Sequence, residues 1–163
     1  RAEPVQDAIR ALKYDGNAQA ARLLADALAE YLREEAATAR AFSPRPILIA
    51  PVPLHPSRRA ERGFNQVERV LALLPREMRD GTIARVMPHA LARTRATPAQ
   101  TRLARAERLA NVRGAFAADG PAVRGTHVFI IDDVTTTGAT LAACAEALEK
   151  AGARITAIAL ARA

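Results

Sequence analysis

The order of residues from Val128 to Leu141 constrains the fold more than any other stretch of the chain. Val128-Phe129-Ile130-Ile131 is a continuous, β-rich apolar run, the pattern of a strand buried on both faces of a parallel sheet. It passes directly into Asp132-Asp133 and then into Val134-Thr135-Thr136-Thr137-Gly138. Strong helix formers follow from Ala139 to Ala151, and Gly152 stands where a C-cap is expected. Strand, turn and helix in this order place the turn at the carboxyl end of the strand, where open α/β sheets bind their ligands. The N–H groups of Thr136 to Thr140 then point outward at a helix N-terminus, where unpaired donors and the dipole favour an anion such as phosphate. Gly138 supplies the close approach or positive φ that such a loop needs, and the threonine hydroxyls add donors.

Asp132 and Asp133 need a different partner. Ionised carboxylates only accept hydrogen bonds, and a vicinal diol offers two donors. Two acids alone would favour a plain strand-end cap, but strand, acid pair, threonine loop and helix together reverse that and suit a ribose 5-phosphate. This segment resembles the phosphoribosyl-pyrophosphate (PRPP) binding motif of type I phosphoribosyltransferases. The resemblance implies that Asp132 and Asp133 hold the ribose hydroxyls and that Thr135, Thr136, Thr137, Gly138, Ala139 and Thr140 cradle the 5-phosphate. It also implies Mg²⁺ accompanying PRPP, reached by Asp132 and Asp133 indirectly, through the ligand. Oxopurine-type members carry an aspartate two residues before the loop glycine, where this chain has Thr136, so a purine-salvage function loses support.

A second strand pattern, Ile47 to Pro51, is stopped by prolines that cannot continue a ladder. It leads through Val52-Pro53-Leu54 into a loop holding His55, Arg58, Arg59 and Arg62, ahead of a helix expected over 64–74. Arginine presents a planar fork of donors matched to phosphate oxygens. If this strand lies beside the Asp132 strand, the arginines open onto the same sheet edge and take a pyrophosphate while the threonine loop takes the monophosphate. The alternative is a solvated basic loop. His55 either touches ligand or is a surface histidine. Asn65 and Gln66 either cap the helix or contact ligand, and capping is favoured for Asn65.

The third stretch begins at Arg93-Thr94-Arg95. Thr97-Pro98-Ala99-Gln100 is a capping box with proline at the first helical position, and Leu103, Ala106, Leu109 and Ala110 follow at helical spacing. From Arg93 to Arg113 there are six arginines and one acid, Glu107. Such an imbalance is costly unless an anion approaches. A long charged excursion between strands also suits a mobile active-site lid. Arg93 and Arg95 therefore join Arg58, Arg59 and Arg62 as candidate catalytic residues.

Together with Ile9-Arg10-Ala11-Leu12-Lys13-Tyr14, these blocks resemble the ComF family of bacterial competence-associated proteins with a phosphoribosyltransferase-type domain. The resemblance covers nearly the whole chain. It implies a type I phosphoribosyltransferase-like α/β fold over 1–163, with 1–42 as a helical segment packed on it. Members commonly begin with a cysteine-rich zinc ribbon. Cys144 is the chain's one cysteine, so no zinc is expected here, nor an internal disulfide. Cys144 reads as a small core residue, and His55, His89 and His127 lack metal-ligand spacing.

Two functions stay open. One is an enzyme that displaces pyrophosphate from C1 of PRPP with a nitrogen nucleophile, chiefly by electrostatic stabilisation. The other is a non-catalytic DNA-uptake factor that uses the fold to bind nucleotide, single-stranded DNA or a protein partner; a homodimer is a further option. The net charge of +7, with 24 basic and 17 acidic residues, suits a polyanion in either case. The scattered aromatics Tyr14, Tyr31, Phe42, Phe64, Phe116 and Phe129 do not form the stacking platform of a single-strand binder. No apolar run approaches the ~20 residues of a membrane span and no secretory signal precedes the first helix, so a cytoplasmic location is expected.

Along the chain the pattern predicts a helix over 4–14, a break at Asp15-Gly16-Asn17 and an amphipathic helix that ends before Ser43. Further strands are expected over 82–88, near 115–117, over 127–132 and over 154–161. Alternating strands and helices imply a central, mostly parallel sheet with helices on both faces.

Overall fold

Asn17, expected as part of a break, instead starts the longest helix. Its side chain accepts from the amides of Gln19 at 2.9 Å and Ala20 at 3.1 Å, capping α1 (Ala18–Phe42). The buried stripe of α1 runs Ala20, Ala21, Leu24, Ala25, Leu28, Ala29, Leu32 and Ala36, the spacing that the sequence shows. The helix stops at Ser43, ahead of Pro44. The computed structural model describes residues 7–11, 17–54, 63–95 and 112–162. Residues 7–11 are helical, with Ala8 and Ile9 buried; the rest of the first expected helix lies outside the described residues.

The chain then builds β1 (Ile47–Pro51), α2 (Gln66–Ala72), a 3₁₀ turn (Arg76–Met78) and β2 (Arg85–Val86). After β3 (Leu91–Arg93) and β4 (Phe116–Ala118) come α3 (Gly120–Val123), β5 (His127–Thr135), α4 (Ala139–Lys150) and β6 (Arg154–Arg162). Four strands form a parallel sheet in the order β2-β1-β5-β6. β1 and β5 lie at its centre, paired from Ile47 with His127 to Pro51 with Ile131.

The central strands are apolar throughout because each residue faces one of two cores. Ile47, Ile49, Phe129 and Ile131 pack with α1 and α2 on one side. Leu48, Ala50, Val128 and Ile130 pack with α4 and the β3–β4 ribbon on the other. α4 ends in a Schellman turn: Ala153 N–H bonds Leu148 O at 3.1 Å and Gly152 N–H bonds Glu149 O at 2.9 Å, with Gly152 at φ +92°.

Three expectations need correction. The strand near 115–117 does not join the main sheet; β4 pairs antiparallel with β3, a strand that the pattern did not show. The strand over 82–88 shrinks to Arg85–Val86, because Asp80 and Gly81 turn the chain ahead of it and Ala84 N–H bonds back to Glu77 O at 3.2 Å. The helix over 64–74 is Gln66–Ala72, since Asn65 is its cap and Leu73 its end.

Candidate functional site

β1 and β5 are neighbours whose chains leave in opposite directions. β1 leads into α2 on the α1 side of the sheet and then to β2, while β5 leads into α4 on the other side and then to β6. Their carboxyl ends therefore border a crevice at the point where strand order reverses, the usual binding place in an open α/β sheet. Val52 N–H donates to Ile131 O at 2.9 Å, so the two strands stay paired up to the residue before Asp132.

On the β5 side the site is contiguous. Asp132 Oδ1 accepts from Asp133 N–H at 2.9 Å, and Asp133 Oδ1 accepts from Val134 N–H at 2.6 Å. These bonds orient both half-buried carboxylates at the strand end. Asp132 continues the Val128–Ile130 face toward α4, where its charge is felt at Cys144. Burial drives the Cys144 thiol well above its ordinary value; Asp132 adds to that rise and Arg93 opposes it. Cys144 is a sealed core residue.

Beyond the acids, Thr136 to Gly138 make the bend into α4. Gly138 sits at φ +74°, ψ 4°, a left-handed conformation that costs other residues energy, and it caps α4 without any side-chain hydrogen bond. Its carbonyl takes the first helical bond, from Ala142 N–H at 2.9 Å. Thr137 Oγ1 accepts from Ala139 N–H at 3.4 Å, and no acidic side chain stands in the first turn. The helix start thus keeps its positive dipole end turned toward the crevice. Thr135, Thr137, Gly138 and Thr140 are half-buried, Thr136 is exposed and Ala139 is buried.

The β1 side depends on one asparagine. Asn65 is buried, and its Nδ2 donates to Val52 O at 3.2 Å while its Oδ1 accepts from Val67 N–H at 3.0 Å. It caps α2, as expected, and also fastens that helix to the exit of β1. Arg58, Arg59, Arg62 and His55 lie between these anchored ends and outside the described residues. Gln66, the next residue after the cap, is buried, and among the described residues neither of its side-chain polar atoms has a hydrogen-bond partner. Sequence reasoning grouped it with Asn65 but carried no sign of its burial. Phe64 stacks under the Arg69 guanidinium at 4.4 Å.

Arg93 and Arg95 belong to the base of the β3–β4 ribbon. Arg93 is half-buried, its guanidinium 5.3 Å from the ring centroid of Phe116, which packs in the core on the α4 side of the sheet. Arg95 is exposed and donates from Nη2 to Arg113 O at 3.1 Å, closing the foot of the arginine excursion. Residues 96–111, which carry the rest of the expected lid, lie outside the described residues. His127 is at the opposite, amino end of β5, buried edge-on against Phe129 and in contact with Thr156 Oγ1 at 2.9 Å.

A model of the phosphoribosyl transferase domain matches residues 62–163, from just ahead of α2 to β6, with β1 lying before the match. The chain belongs to the phosphoribosyl transferase domain family. Within that family it is a ComF-type member, as its relatives show. It is 36% identical over 154 residues to DNA utilization protein YhgH of Escherichia coli O6:H1, a match covering 93% of this chain and 64% of that protein. The YhgH protein of Salmonella typhi is 37% identical over 132 residues, covering 80% and 56% of the two chains. Competence protein ComFC of Streptococcus pneumoniae is 30% identical over 152 residues, covering 93% of this chain and 60% of the relative. The phosphoribosyl transferase chain thus spans less than two thirds of the length of these relatives.

Proposed function

We propose that the crevice between β1 and β5 binds PRPP with Mg²⁺, within a protein that serves DNA utilization or competence. The observation that carries this reading is the meeting, at one switch point, of the α4 N-terminus behind Gly138 with the Asp132–Asp133 pair. In this reading the α4 amides and the threonine hydroxyls hold the 5-phosphate. Asp132 and Asp133 accept from the ribose hydroxyls. Arg58, Arg59 and Arg62 enter from a segment whose ends are anchored at Val52 and Asn65, and they take the pyrophosphate. Arg93 and Arg95 approach from the ribbon.

The half-buried carboxylates of Asp132 and Asp133 would meet a hard cation indirectly, through the ligand and the cation's waters. Mg²⁺ bound with the ligand would supply charge neutralisation for a pyrophosphate leaving group. The residues of the chain fix ribose and phosphates, so that a nitrogen nucleophile attacks C1 as the C1–O bond breaks and pyrophosphate leaves with the electron pair. Calorimetric titration with PRPP, with and without Mg²⁺, tests this directly. Metal-dependent binding is expected, and its absence in a protein that binds single-stranded DNA would overturn the reading.

A non-catalytic ComF-like DNA-uptake factor is the second reading. It is favoured by the relatives' names, DNA utilization protein and competence protein, and by the +7 charge. The arginine excursion then meets single-stranded DNA or a partner protein. Replacing Arg102 and Arg105 with Gln is expected to lower the log–log salt slope of single-strand binding by about 1.4. An unchanged slope would remove that face from consideration.

A further inference from the structure

Gln66 is 1% exposed, and among the described residues neither Nε2 nor Oε1 has a hydrogen-bond partner. A buried carboxamide left unpaired on both atoms is uncommon in a native protein and needs a reason. The architecture of α2 supplies none. The cap comes from Asn65, and the helix buries Val67, Val70 and Leu71 through apolar contacts. An apolar side chain of similar volume would serve the fold better at this position.

The location supplies the reason. α2 packs back across β1 and β5 on the α1 side, so its first residue stands at the carboxyl edge of the sheet. Two hydrogen bonds, Asn65 Nδ2 to Val52 O and Val52 N–H to Ile131 O, tie the residue before Gln66 to the residue before Asp132. Gln66 therefore opens α2 next to the β1 flank of the crevice, four positions after Arg62 and enclosed by its surroundings.

The chemistry of its two atoms selects the occupant. Nε2 only donates and Oε1 only accepts. A bare phosphate presents acceptors alone and would leave Oε1 facing an anion. A hydrated Mg²⁺ on pyrophosphate presents both, since a phosphate oxygen accepts from Nε2 and a metal-bound water donates to Oε1. We infer that Gln66 is a binding residue for the magnesium-pyrophosphate part of the ligand, held unpaired in the free protein and satisfied on binding. This rests on the PRPP reading of the crevice and names the residue that recognises its metal-bearing end.

The test pairs stability with affinity. Gln66→Met removes both unpaired atoms while keeping volume and helix propensity. In the ligand-free protein it is expected to raise Tm by roughly 2–6 °C. In calorimetry it is expected to weaken binding of inorganic pyrophosphate with Mg²⁺ by about tenfold or more, with ribose 5-phosphate binding unchanged. Gln66→Glu keeps an acceptor, loses the donor and places a charge toward phosphate, so it is expected to weaken magnesium-pyrophosphate binding further. A lowered Tm in the Met variant would mean that the side chain is structurally paired and would overturn the inference. So would unchanged magnesium-pyrophosphate affinity, or an equal loss of both ligands. If the parent bound neither ligand, the PRPP reading would fail and this inference with it; a parent that binds both, beside an indistinguishable Met variant, overturns the role of Gln66 alone.

Discussion

On the β5 flank of the crevice every candidate group comes from one run of chain: Asp132 and Asp133 end the strand, Thr135 to Gly138 turn it, and α4 begins at Ala139. Each carboxylate is oriented by the amide one residue further on. The β1 flank is assembled across distance. Asn65 reaches back 13 residues to Val52, and through Val52 to Ile131 on the neighbouring strand. The contrast shows two ways of holding a polar site. A strand–turn–helix unit orients its polar groups by backbone geometry, whereas a helix start 13 residues beyond the strand exit is tied back to it by a buried side chain.

The sharpest way to break this comparison is at the acids. Asp132→Asn with Asp133→Asn is expected to cut PRPP affinity by about 100-fold or more while thermal unfolding stays cooperative. If the double variant bound PRPP like the parent, the β5 flank would not be the diol site.

Asn65→Ala tests the other flank. It removes the cap of α2 and leaves Val52 O buried without its side-chain partner, at an expected cost of about 2–3 kcal/mol in urea unfolding. A loss below about 0.5 kcal/mol, within the range of ordinary surface substitutions, would mean that the β1 exit is held by something else.

Gly138→Ala should cost less. The added Cβ meets nothing nearer than Thr135 Oγ1 at 4.0 Å, so only the positive φ resists it, at about 1–2 kcal/mol. An unchanged stability would show that the turn can relax out of the left-handed region.

The smallest effect is expected at the amino end of β5, where the same strand carries no ligand group. Burial, then Arg154 and Arg45, hold the His127 imidazole below its ordinary value, with Glu35 opposing. The unfolded chain then takes up a proton more readily than the folded one. This contribution to stability is complete above about pH 6.5 and is lost as pH falls below it. Between pH 7 and 5.5 the parent should lose denaturant midpoint faster than a His127→Gln variant, with PRPP affinity equal in both. Parallel pH profiles would remove His127 as the cause.

The central strands and α4 were legible because their signals are local. A continuous apolar run is buried wherever it lands in a parallel sheet, and Gly152 ends α4 where its sequence indicated. β3 was not legible: Leu91–Arg93 is three residues long and owes its strand geometry to pairing with Phe116–Ala118, 25 positions away from Leu91 to Phe116 in the chain. Asn17 and Asn65 illustrate the boundary problem. Each reads as a turn residue, and only the amides that follow decide that it is a helix cap.

The sequence by itself determined the order of chemistry along β5, with acids, hydroxyls, a positive-φ glycine and a helix start in succession, because neighbours in the chain are neighbours in space. Only the tertiary structure decided that β1 lies beside β5 and that their connections diverge to opposite faces. It also buried Gln66, unpaired among the described residues, at the start of α2. Those facts depend on which apolar faces pack together, and a pairing between residues some 80 positions apart leaves no trace in either segment alone.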